Sequence, residues 1–254
     1  MATFVLVHGA FTGGWYWSRV RPQLQAAGHT VWTPTLTGSG ERVHLQGRSV
    51  TLATHIEDIV NTLHYEDLRD VVLVGHSYGG MVITGVADRA PERLSRLVYF
   101  DAAYPAPGQN ATGGFAQGTG EVLDELASDG KGGAWELQPL PLAAYGVTDP
   151  DDVAWVGGRR VPHAMPTLQE ALHLRGAAPA TLARVYVRCL RRAGLVEVFG
   201  VDPLQPMYER AVADGLAVVT VDAGHDAMVT APQATAMALI AALSGETRGS
   251  HAAE

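Results

Sequence analysis

Short apolar runs alternate along the chain with segments in which apolar residues recur at helical spacing. The apolar runs predict strands near residues 3–7, 30–33, 70–74, 95–100, 184–188 and 216–221. Helical spacing predicts helices near residues 16–27, 52–64, 80–89, 204–214 and 231–243. Strands that alternate with helices are typical of a parallel sheet covered by helices. We therefore predict an α/β fold with a doubly wound, mainly parallel sheet of about six strands.

The stretch from residue 103 to residue 183 interrupts this alternation. It is rich in glycine, proline and alanine, contains scattered aromatic residues and has no clear strand pattern. Insertions between two sheet strands lie over the carboxyl edge of the sheet, and the aromatic residues favour a packed lid over a disordered linker. We predict a core formed by residues 1–102 and 184–243, a lid formed by residues 103–183, and a flexible tail at residues 244–254.

The composition limits the classes of protein to which the chain can belong. With 254 residues, 47% of them hydrophobic, the chain can bury one substantial core. A net charge of −8 argues against a nucleic-acid partner, because no basic surface would follow the phosphates. No apolar run reaches the roughly 20 residues that span a membrane, and no secretory signal precedes the first strand. A single cysteine, Cys189, fits a reducing compartment, so we predict a cytoplasmic protein without a membrane partner.

The most informative motif begins where the strand near residues 70–74 ends. The sequence Gly75-His76-Ser77-Tyr78-Gly79 separates this strand from the helix near residues 80–89. Glycine is needed at both ends of the motif because side chains there would collide with the backbone of a very tight turn. Such a turn is a nucleophile elbow, which lifts the Ser77 hydroxyl above the edge of the sheet. The alternative is a glycine-rich connection between a strand and its crossover helix.

A serine hydroxyl becomes a nucleophile when a base removes its proton, so Ser77 requires a histidine. The chain has 10 histidines. His225 is the best placed, because it follows the last predicted strand in a glycine turn and therefore lies at the same carboxyl edge as Ser77. His76 is adjacent to the nucleophile but points elsewhere in a tight turn, and His8 supports its own loop. We predict that His225 is the base.

The tetrahedral intermediate of acyl transfer requires two N–H donors for its negatively charged oxygen. One donor is expected from Tyr78, the residue after the nucleophile. The other is expected from the loop that follows the first strand, where Ala10 is favoured. We predict an oxyanion hole formed by Ala10 and Tyr78, and the simpler interpretation of His8 and Gly9 as a tight turn is compatible with it.

Further segments add to the elbow motif: they are Phe4–Ala10, Gly13–Trp17, Gln25–His29, Gly75–Met81 and Gly224–Met228. Together they resemble the α/β-hydrolase superfamily, and within it the branch of plant methylesterases, salicylate-binding proteins and hydroxynitrile lyases. The resemblance covers residues 3–100 well and residues 184–243 moderately. It implies a doubly wound sheet, a serine nucleophile, small ester substrates and no metal or organic cofactor.

The chain departs from this branch at the third member of the catalytic triad. The branch carries an aspartate three residues after the cysteine of a Tyr-Val-x-Cys or Tyr-Ile-x-Cys strand, and Arg192 stands at that place here. An arginine would repel the imidazolium of His225, so the acid comes from elsewhere or is absent. Asp101 is our candidate, because it ends the strand beside the nucleophile strand, where some lipases and dehalogenases of the superfamily carry their acid. A plain turn residue is the other interpretation of Asp101, and Asp202 is the alternative acid, although its neighbour Pro203 favours a helix cap.

The residue after His225 narrows the chemistry further. Hydroxynitrile lyases of the branch have a lysine there, which holds the cyanide charge, whereas this chain has Asp226. Haloalkane dehalogenases and epoxide hydrolases of the superfamily use an aspartate as nucleophile, whereas this chain has Ser77. Both activities are therefore disfavoured.

The leading hypothesis is a serine hydrolase that cleaves a small or medium, apolar carboxylic ester, of the methyl ester or lactone type, through an acyl-enzyme. Non-hydrolytic general-base chemistry in the same pocket, such as cyclisation, elimination or condensation of a natural-product intermediate, is the alternative. A ligand-binding receptor on a hydrolase scaffold is less favoured. The expected partner is a small-molecule substrate, and a homodimer is left open. The candidate substrate-binding residues, which would otherwise be lid core, are Phe11, Tyr104, Trp135 and Trp155.

Overall fold

The structure is a computed structural model that describes residues 1–128, 135–176, 178 and 181–244. Its strands are β1 (Thr3–Val7), β2 (Thr30–Trp32), β3 (Val71–His76), β4 (Leu94–Phe100), β5 (Glu136–Leu137), β6 (His163–Ala164), β7 (Ala183–Cys189) and β8 (Ala217–Val221). Six of them form one parallel sheet in the order β2-β1-β3-β4-β7-β8. The residues that follow β3, β4, β7 and β8 therefore meet at one edge of this sheet.

The helices lie between and beside these strands. The α-helices are α1 (Arg21–Ala26), α2 (Leu52–Tyr65), α3 (Gly79–Arg89), α4 (Ala111–Gly114), α5 (Thr119–Ser128), α6 (Pro150–Gly157), α7 (Met165–Gln169), α8 (Ala193–Phe199), α9 (Gln205–Ala213), α10 (Ala227–Thr230) and α11 (Pro232–Ser244). Short 3₁₀ helices span Gly14–Trp17, Gly40–Leu45, Pro91–Arg93 and Leu142–Tyr145. Among the helices that the structure describes, none is long and apolar enough to cross a membrane.

The sheet is buried on both faces, and its side chains alternate between two apolar clusters. In β1, Val5 and Val7 join the cluster beneath α2 and α3, whereas Phe4 and Leu6 join the cluster beneath α1 and α11. This alternation follows from the two-residue period of a strand. The predicted fold class, a doubly wound parallel sheet of six strands flanked by helices, is confirmed.

One predicted helix is divided in the structure and a second matches its prediction, and proline lies in the first turn of each resulting α-helix. The helix predicted near residues 16–27 is a 3₁₀ helix followed by α1, which has Pro22 in its first turn. The helix predicted near residues 231–243 begins at Pro232, directly after the short α10. Proline lacks a backbone N–H, so it suits the first turn of a helix and ends the hydrogen-bond ladder before it.

The segment from residue 103 to residue 183 carries α4 to α7 and a small two-stranded sheet that the sequence does not predict. In this sheet β5 and β6 pair antiparallel, with Glu136 opposite Ala164 and Leu137 opposite His163. The segment contacts the core through a backbone hydrogen bond from Val161 to the carbonyl of Phe11 at 2.9 Å. The predicted tail lies outside the described residues from residue 245 onward.

Candidate active site

Ser77 lies in a tight turn between the end of β3 and the start of α3. Its φ angle is 53°, in the left-handed region that residues other than glycine rarely adopt. A Cβ at Gly75 would lie 2.5 Å from the carbonyl oxygen of Gly79, and a Cβ at Gly79 would lie 2.9 Å from the carbonyl oxygen of His8. Both positions therefore require glycine, as the sequence predicts.

His225 follows β8, and neighbouring groups hold its ring on several sides. Its Nδ1 lies 2.5 Å from Oδ2 of Asp101, so Nδ1 carries a proton and donates it to the carboxylate. The ring of His76 lies beside it, with 4.6 Å between ring centres, and Nε2 of His76 donates to the backbone carbonyl of His225 at 3.1 Å. Burial and the charge of His225 hold the pKa of His76 well below its usual value, so His76 is neutral. The Nε2 of His225 is left to accept a proton, and His225 lines the same cavity as Ser77.

Asp101 follows β4 and reaches His225 from the sheet edge beside the nucleophile strand. Its φ angle of 42° lies in the same left-handed region as that of Ser77. The side chain is fully buried, and its Oδ1 accepts a hydrogen bond from the backbone N–H of Cys189 at 3.2 Å. Both carboxylate oxygens therefore have donors, and the fold brings Asp101 to His225 across 124 residues of sequence.

Arg192, at the position where the related branch carries its acid, contacts the same carboxylate. Its Nη1 donates to Oδ2 of Asp101, and its Nε and Nη2 donate to the two oxygens of Asp202 at 2.9 and 2.7 Å. Burial alone would raise the pKa of Asp101, but the charge of Arg192 and the hydrogen bond from His225 hold that pKa well below its usual value. The expectation that Arg192 acts simply by repelling His225 is therefore incomplete, because Arg192 also keeps the carboxylate ionised.

Asp202, the alternative acid, is turned toward the arginines. Arg188 also donates to it, and its Oδ1 accepts from the backbone N–H of Leu204 at 3.1 Å. This contact caps a turn rather than the predicted helix start, because α9 begins at Gln205. Within the described part of the chain, no hydrogen bond joins Asp202 to His225.

The two predicted oxyanion donors lie beside the nucleophile. Ala10 and Tyr78 line its cavity, and within the described residues neither backbone N–H donates to a protein acceptor. The ring of His8 holds the loop of Ala10, since its Nε2 accepts from the N–H of Leu36 at 3.1 Å and its Nδ1 donates to the carbonyl of Gly9 at 2.7 Å. Burial lowers the pKa of His8 to about 4, which keeps this ring neutral near pH 7.

A cavity opens at Ser77, and we call it the apolar cavity. Seven of its sixteen lining residues come from the segment 103–183, and two come from α8. The lining residues in the described structure are Ala10, Phe11, Ser77, Tyr78, Phe115, Thr119, Leu123, Leu137, Leu140, Tyr145, Leu168, Leu195, Phe199, Pro203, Leu204 and His225. The side chains around the nucleophile are therefore mainly hydrocarbon.

Of the four aromatic residues proposed for substrate contact, Phe11 lines the apolar cavity, and in the described structure the other three do not. The hydroxyl of Tyr104 donates to Asp214 at 2.9 Å. Trp155 packs edge-on against another tryptophan, with 5.3 Å between ring centres, beneath an arginine guanidinium. Trp135 precedes β5, and its carbonyl accepts a hydrogen bond from the start of α7 at 2.8 Å. Tyr104 and Trp155 pack against the apolar clusters of the core, so the structure does not place them at the substrate cavity as predicted, and the contact of Trp135 is a backbone hydrogen bond within the segment.

A second cavity meets the apolar cavity at Ser77 and His225, and we call it the polar recess. The hydroxyl of Tyr16 donates there to Oδ2 of Asp226. Burial raises the pKa of Asp226 above its usual value, although the charge of His225 and the bond from Tyr16 oppose this. The recess is lined by Gly9, Ala10, Phe11, Thr12, Tyr16, His76, Ser77, Tyr145, Arg160, His225 and Asp226.

One group of side chains in the recess has the composition of a metal site. A nitrogen of His76, a nitrogen of His225 and a carboxylate oxygen of Asp226 lie within 4.8 Å of one another. Each side chain already has a protein partner, because His225 donates to Asp101, His76 donates to the carbonyl of His225, and Asp226 accepts from Tyr16. These hydrogen bonds account for the grouping, and we assign no metal to it.

Sequence reasoning missed two side chains that support the site. Arg192 was recognised as a departure from the related branch but not as a partner of Asp101, although a charged residue at the usual position of the acid was a usable signal. His76 was expected to point away, whereas its ring lies against His225. Its place at the end of β3, next to the nucleophile, was the signal that could have revealed this contact.

The fold and the arrangement of the site together define an α/β-hydrolase. The sequence model of the alpha/beta hydrolase family matches residues 4–238, and the chain belongs to this family. The chain is 41% identical over 250 residues to a carbendazim hydrolyzing esterase of Nocardioides sp. (strain SG-4G), which covers 95% of this chain and 99% of the relative. It is 26% identical over 258 residues to salicylic acid-binding protein 2 of Nicotiana tabacum, which covers 93% of this chain and 95% of the relative.

Solved structures agree with this assignment. An extracellular α/β-hydrolase from a Paenibacillus species has the same fold, with a TM-score of 0.80 at 24% identity over 95% of this chain and 99% of that chain. The resemblance to the branch of plant methylesterases and salicylic acid-binding proteins is therefore confirmed. The protein is an α/β-hydrolase enzyme of the esterase class.

Proposed function

We propose that the protein is a serine esterase that cleaves a small or medium, apolar carboxylic ester through an acyl-enzyme. The observation that carries the proposal is the hydrogen bond between Asp101 and His225 at 2.5 Å, in the wall of the cavity that Ser77 lines. In this proposal Asp101 is the acid, His225 is the base and Ser77 is the nucleophile, and acyl transfer to serine needs these three groups.

In the first half of the reaction, Oγ of Ser77 attacks the carbonyl carbon of the ester while Nε2 of His225 takes the hydroxyl proton. The carbonyl oxygen becomes an oxyanion, which accepts hydrogen bonds from the N–H groups of Ala10 and Tyr78. Asp101 stabilises the imidazolium that forms. The imidazolium then gives its proton to the alcohol oxygen as the bond between carbon and that oxygen breaks, which leaves the acyl group on Ser77.

In the second half, water replaces the alcohol. His225 takes a proton from this water as its oxygen attacks the acyl carbon, and the same two N–H groups bind the second oxyanion. The proton passes from His225 to Oγ of Ser77 as the acyl bond breaks. The carboxylic acid leaves, and the free enzyme is restored.

The lining of the apolar cavity supports an apolar substrate. Its hydrocarbon side chains favour a substrate of similar character, because apolar area removed from water contributes about 25 cal/mol per Å². We infer that the segment 103–183 acts as a lid, since it supplies seven of the lining residues. Methyl esters and lactones are small enough for such a site. Carbendazim is a specific candidate substrate, because it names the activity of a relative with 41% identity.

Hydrolysis is favoured over non-hydrolytic general-base chemistry. A missing acid at position 192 favours that alternative only if no other carboxylate contacts His225. Asp101, which follows β4, makes this contact, so the argument for non-hydrolytic chemistry is weakened. The N–H groups of Ala10 and Tyr78 also suit an oxyanion of acyl transfer.

A fluorophosphonate probe, which bonds covalently to an activated serine, tests the nucleophile. We expect the wild type to be labelled and S77A to remain unlabelled. The matched control is S95A, because Ser95 is exposed and its hydroxyl donates to the carbonyl of Asp70 at 2.9 Å. We also expect S77A to lower kcat on p-nitrophenyl esters by roughly a thousandfold or more. Labelling that persists in S77A would refute the proposal.

A series of p-nitrophenyl esters tests the substrate class. We expect kcat/KM to rise from the acetate to the hexanoate by roughly tenfold, because each added methylene can be buried in the apolar cavity. Carbendazim is assayed beside them by the loss of its absorbance. A preference for the acetate over the hexanoate would contradict an apolar substrate.

A further inference from the structure

Arg192 bridges two carboxylates, one of which belongs to the proposed triad. It donates one hydrogen bond to Asp101 and two to Asp202, the latter at 2.7 and 2.9 Å. The three side chains are well buried, with 13%, 0% and 11% of their surface exposed for Arg192, Asp101 and Asp202. A guanidinium offers a planar fork of donors that can serve two acceptors in this way.

A second arginine completes the group. Arg188 donates to Asp202, lies 3.8 Å from Oδ1 of Asp101, and has its guanidinium 4.7 Å from the ring centre of Tyr208. Two arginines and two aspartates therefore form a compact group whose formal charges cancel. The carboxylate of Asp101 is the point at which this group meets His225.

Oδ2 of Asp101 is shared, because it accepts hydrogen bonds from both Arg192 and Nδ1 of His225. An acceptor that already holds a cation attracts a second donor less strongly. We propose that Arg192 is a positioning residue that holds Asp101 against His225 and takes part of its negative charge, and that Asp202 determines how large that part is. The inference rests on the proposed function, in which His225 is the base.

The other groups that face His225 belong to different elements, and substitutions of Arg192 or Asp202 leave them unchanged. Asp226 follows it in the chain, the neutral ring of His76 lies beside it from β3, and the ring of Tyr145 lies 5.6 Å away from the 3₁₀ helix Leu142–Tyr145. Ser77 lines the same cavity as His225.

Two substitutions should move the basicity of His225 in opposite directions. R192Q removes the cation, so Asp101 interacts with His225 alone, and the acid limb of the pH profile of kcat/KM should move up by about one pH unit. D202N removes the second acceptor of Arg192, so its charge falls more fully on Asp101. The acid limb should then move down by about half a pH unit.

A third substitution separates the effect of the positive charge of Arg192 from the effect of its forked hydrogen-bond geometry. R192K keeps the cation, but one ammonium cannot bond both carboxylates as the fork does. We expect the acid limb of R192K to stay within about 0.3 pH units of the wild type while kcat falls by roughly tenfold. R191Q is the matched control, because this substitution removes the same charge at a residue that is 69% exposed and pairs with Asp222 at the surface. Its acid limb should not move.

The pH profile of kcat/KM is measured for the wild type and the four variants, and the titration of His225 is followed by NMR of the imidazole nitrogens, with H225Q to assign the signal. Upward movement in R192Q together with downward movement in D202N supports the proposal. Movement of both in the same direction, or of neither, overturns it. If the wild type has no activity that depends on Ser77, the proposed function fails, and the NMR titration decides the role of Arg192 alone by the same criteria.

Discussion

Two buried carboxylates flank His225, and the protein holds them in opposite ways. Asp101 is fully buried and Asp226 is 5% exposed, so burial hardly differs between them. The charge of Arg192 outweighs the burial of Asp101 and holds its pKa below the usual value. Asp226 receives a hydrogen bond from the phenol of Tyr16, and burial raises its pKa.

The charge of Arg192, rather than a difference in burial, therefore gives the two carboxylates pKa shifts of opposite direction. An ionised carboxylate on Nδ1 stabilises the imidazolium of His225, and Asp101 occupies that place. Asp226 lies next to His225 in the chain but interacts with Tyr16, and one of its oxygens lies 3.9 Å from Nε2 of His76. In the proposed mechanism the catalytic task therefore falls to Asp101, the carboxylate that is more distant in sequence.

The largest expected effect is on catalysis, and a pair of matching substitutions tests it. D101N keeps the shape of the side chain but removes the charge that faces His225, so kcat should fall by roughly a hundredfold to ten-thousandfold. D226N makes the same chemical change on the other side of the ring and should lower kcat by less than about tenfold. Steady-state kinetics on one p-nitrophenyl ester, with melting curves to confirm folding, measures both. An equal loss in the two variants would mean that the two carboxylates do not differ in role.

This assignment could be predicted from the sequence only in part. The elbow at Ser77 was predictable because strand, glycine pair and helix are contiguous, and the atoms that force glycine there come from the turn itself and the adjacent β1 loop. Asp101 was reachable from the order of the strands. The bridge from Arg192 to Asp101 joins residues 91 positions apart, and no local pattern encodes which acceptor a buried guanidinium will choose.

The segment 103–183 was the least predictable part of the fold. Its aromatic residues suggested contacts with substrate, but Trp155 packs against Trp15 and lies 4.3 Å beneath the guanidinium of Arg19. The segment contributes other residues to the cavity wall, namely four leucines together with Phe115, Thr119 and Tyr145. Periodicity could not indicate this, because short helices and strands of two residues are too short to show a repeating face.

The second prediction concerns the contribution to stability of the hydrogen bond between Tyr16 and Asp226. Y16F removes the hydroxyl that donates to this carboxylate and leaves a buried acceptor without that partner. The free energy of unfolding should fall by about 1–3 kcal/mol, because the desolvation of the carboxylate is no longer offset. Chemical denaturation of Y16F and of the control Y65F measures this, since Tyr65 is 80% exposed. Equal stability of Y16F and the wild type would show that the bond between Tyr16 and Asp226 contributes nothing.

The smallest expected effect is on the pH dependence of stability, which should have opposite signs for D101N and D226N. The pKa of Asp101 is lowered by folding, so its charged form contributes stability above about pH 4, which is lost as the pH falls through the folded pKa. The pKa of Asp226 is raised, so its contribution is present below about pH 4 and is lost as the pH rises through the folded pKa.

From pH 2 to pH 5, the melting temperature of D101N should therefore fall further below that of the wild type, whereas from pH 4 to pH 7 that of D226N should rise relative to the wild type. We expect each difference to change by roughly 2–4 °C over its interval. Melting curves at the ends of both intervals measure the two slopes, and a double variant D101N/D226N tests whether they are independent. Slopes of the same sign would mean that one electrostatic environment acts on both carboxylates. Opposite slopes would show that the two sides of His225 are separately organised, as their different partners require.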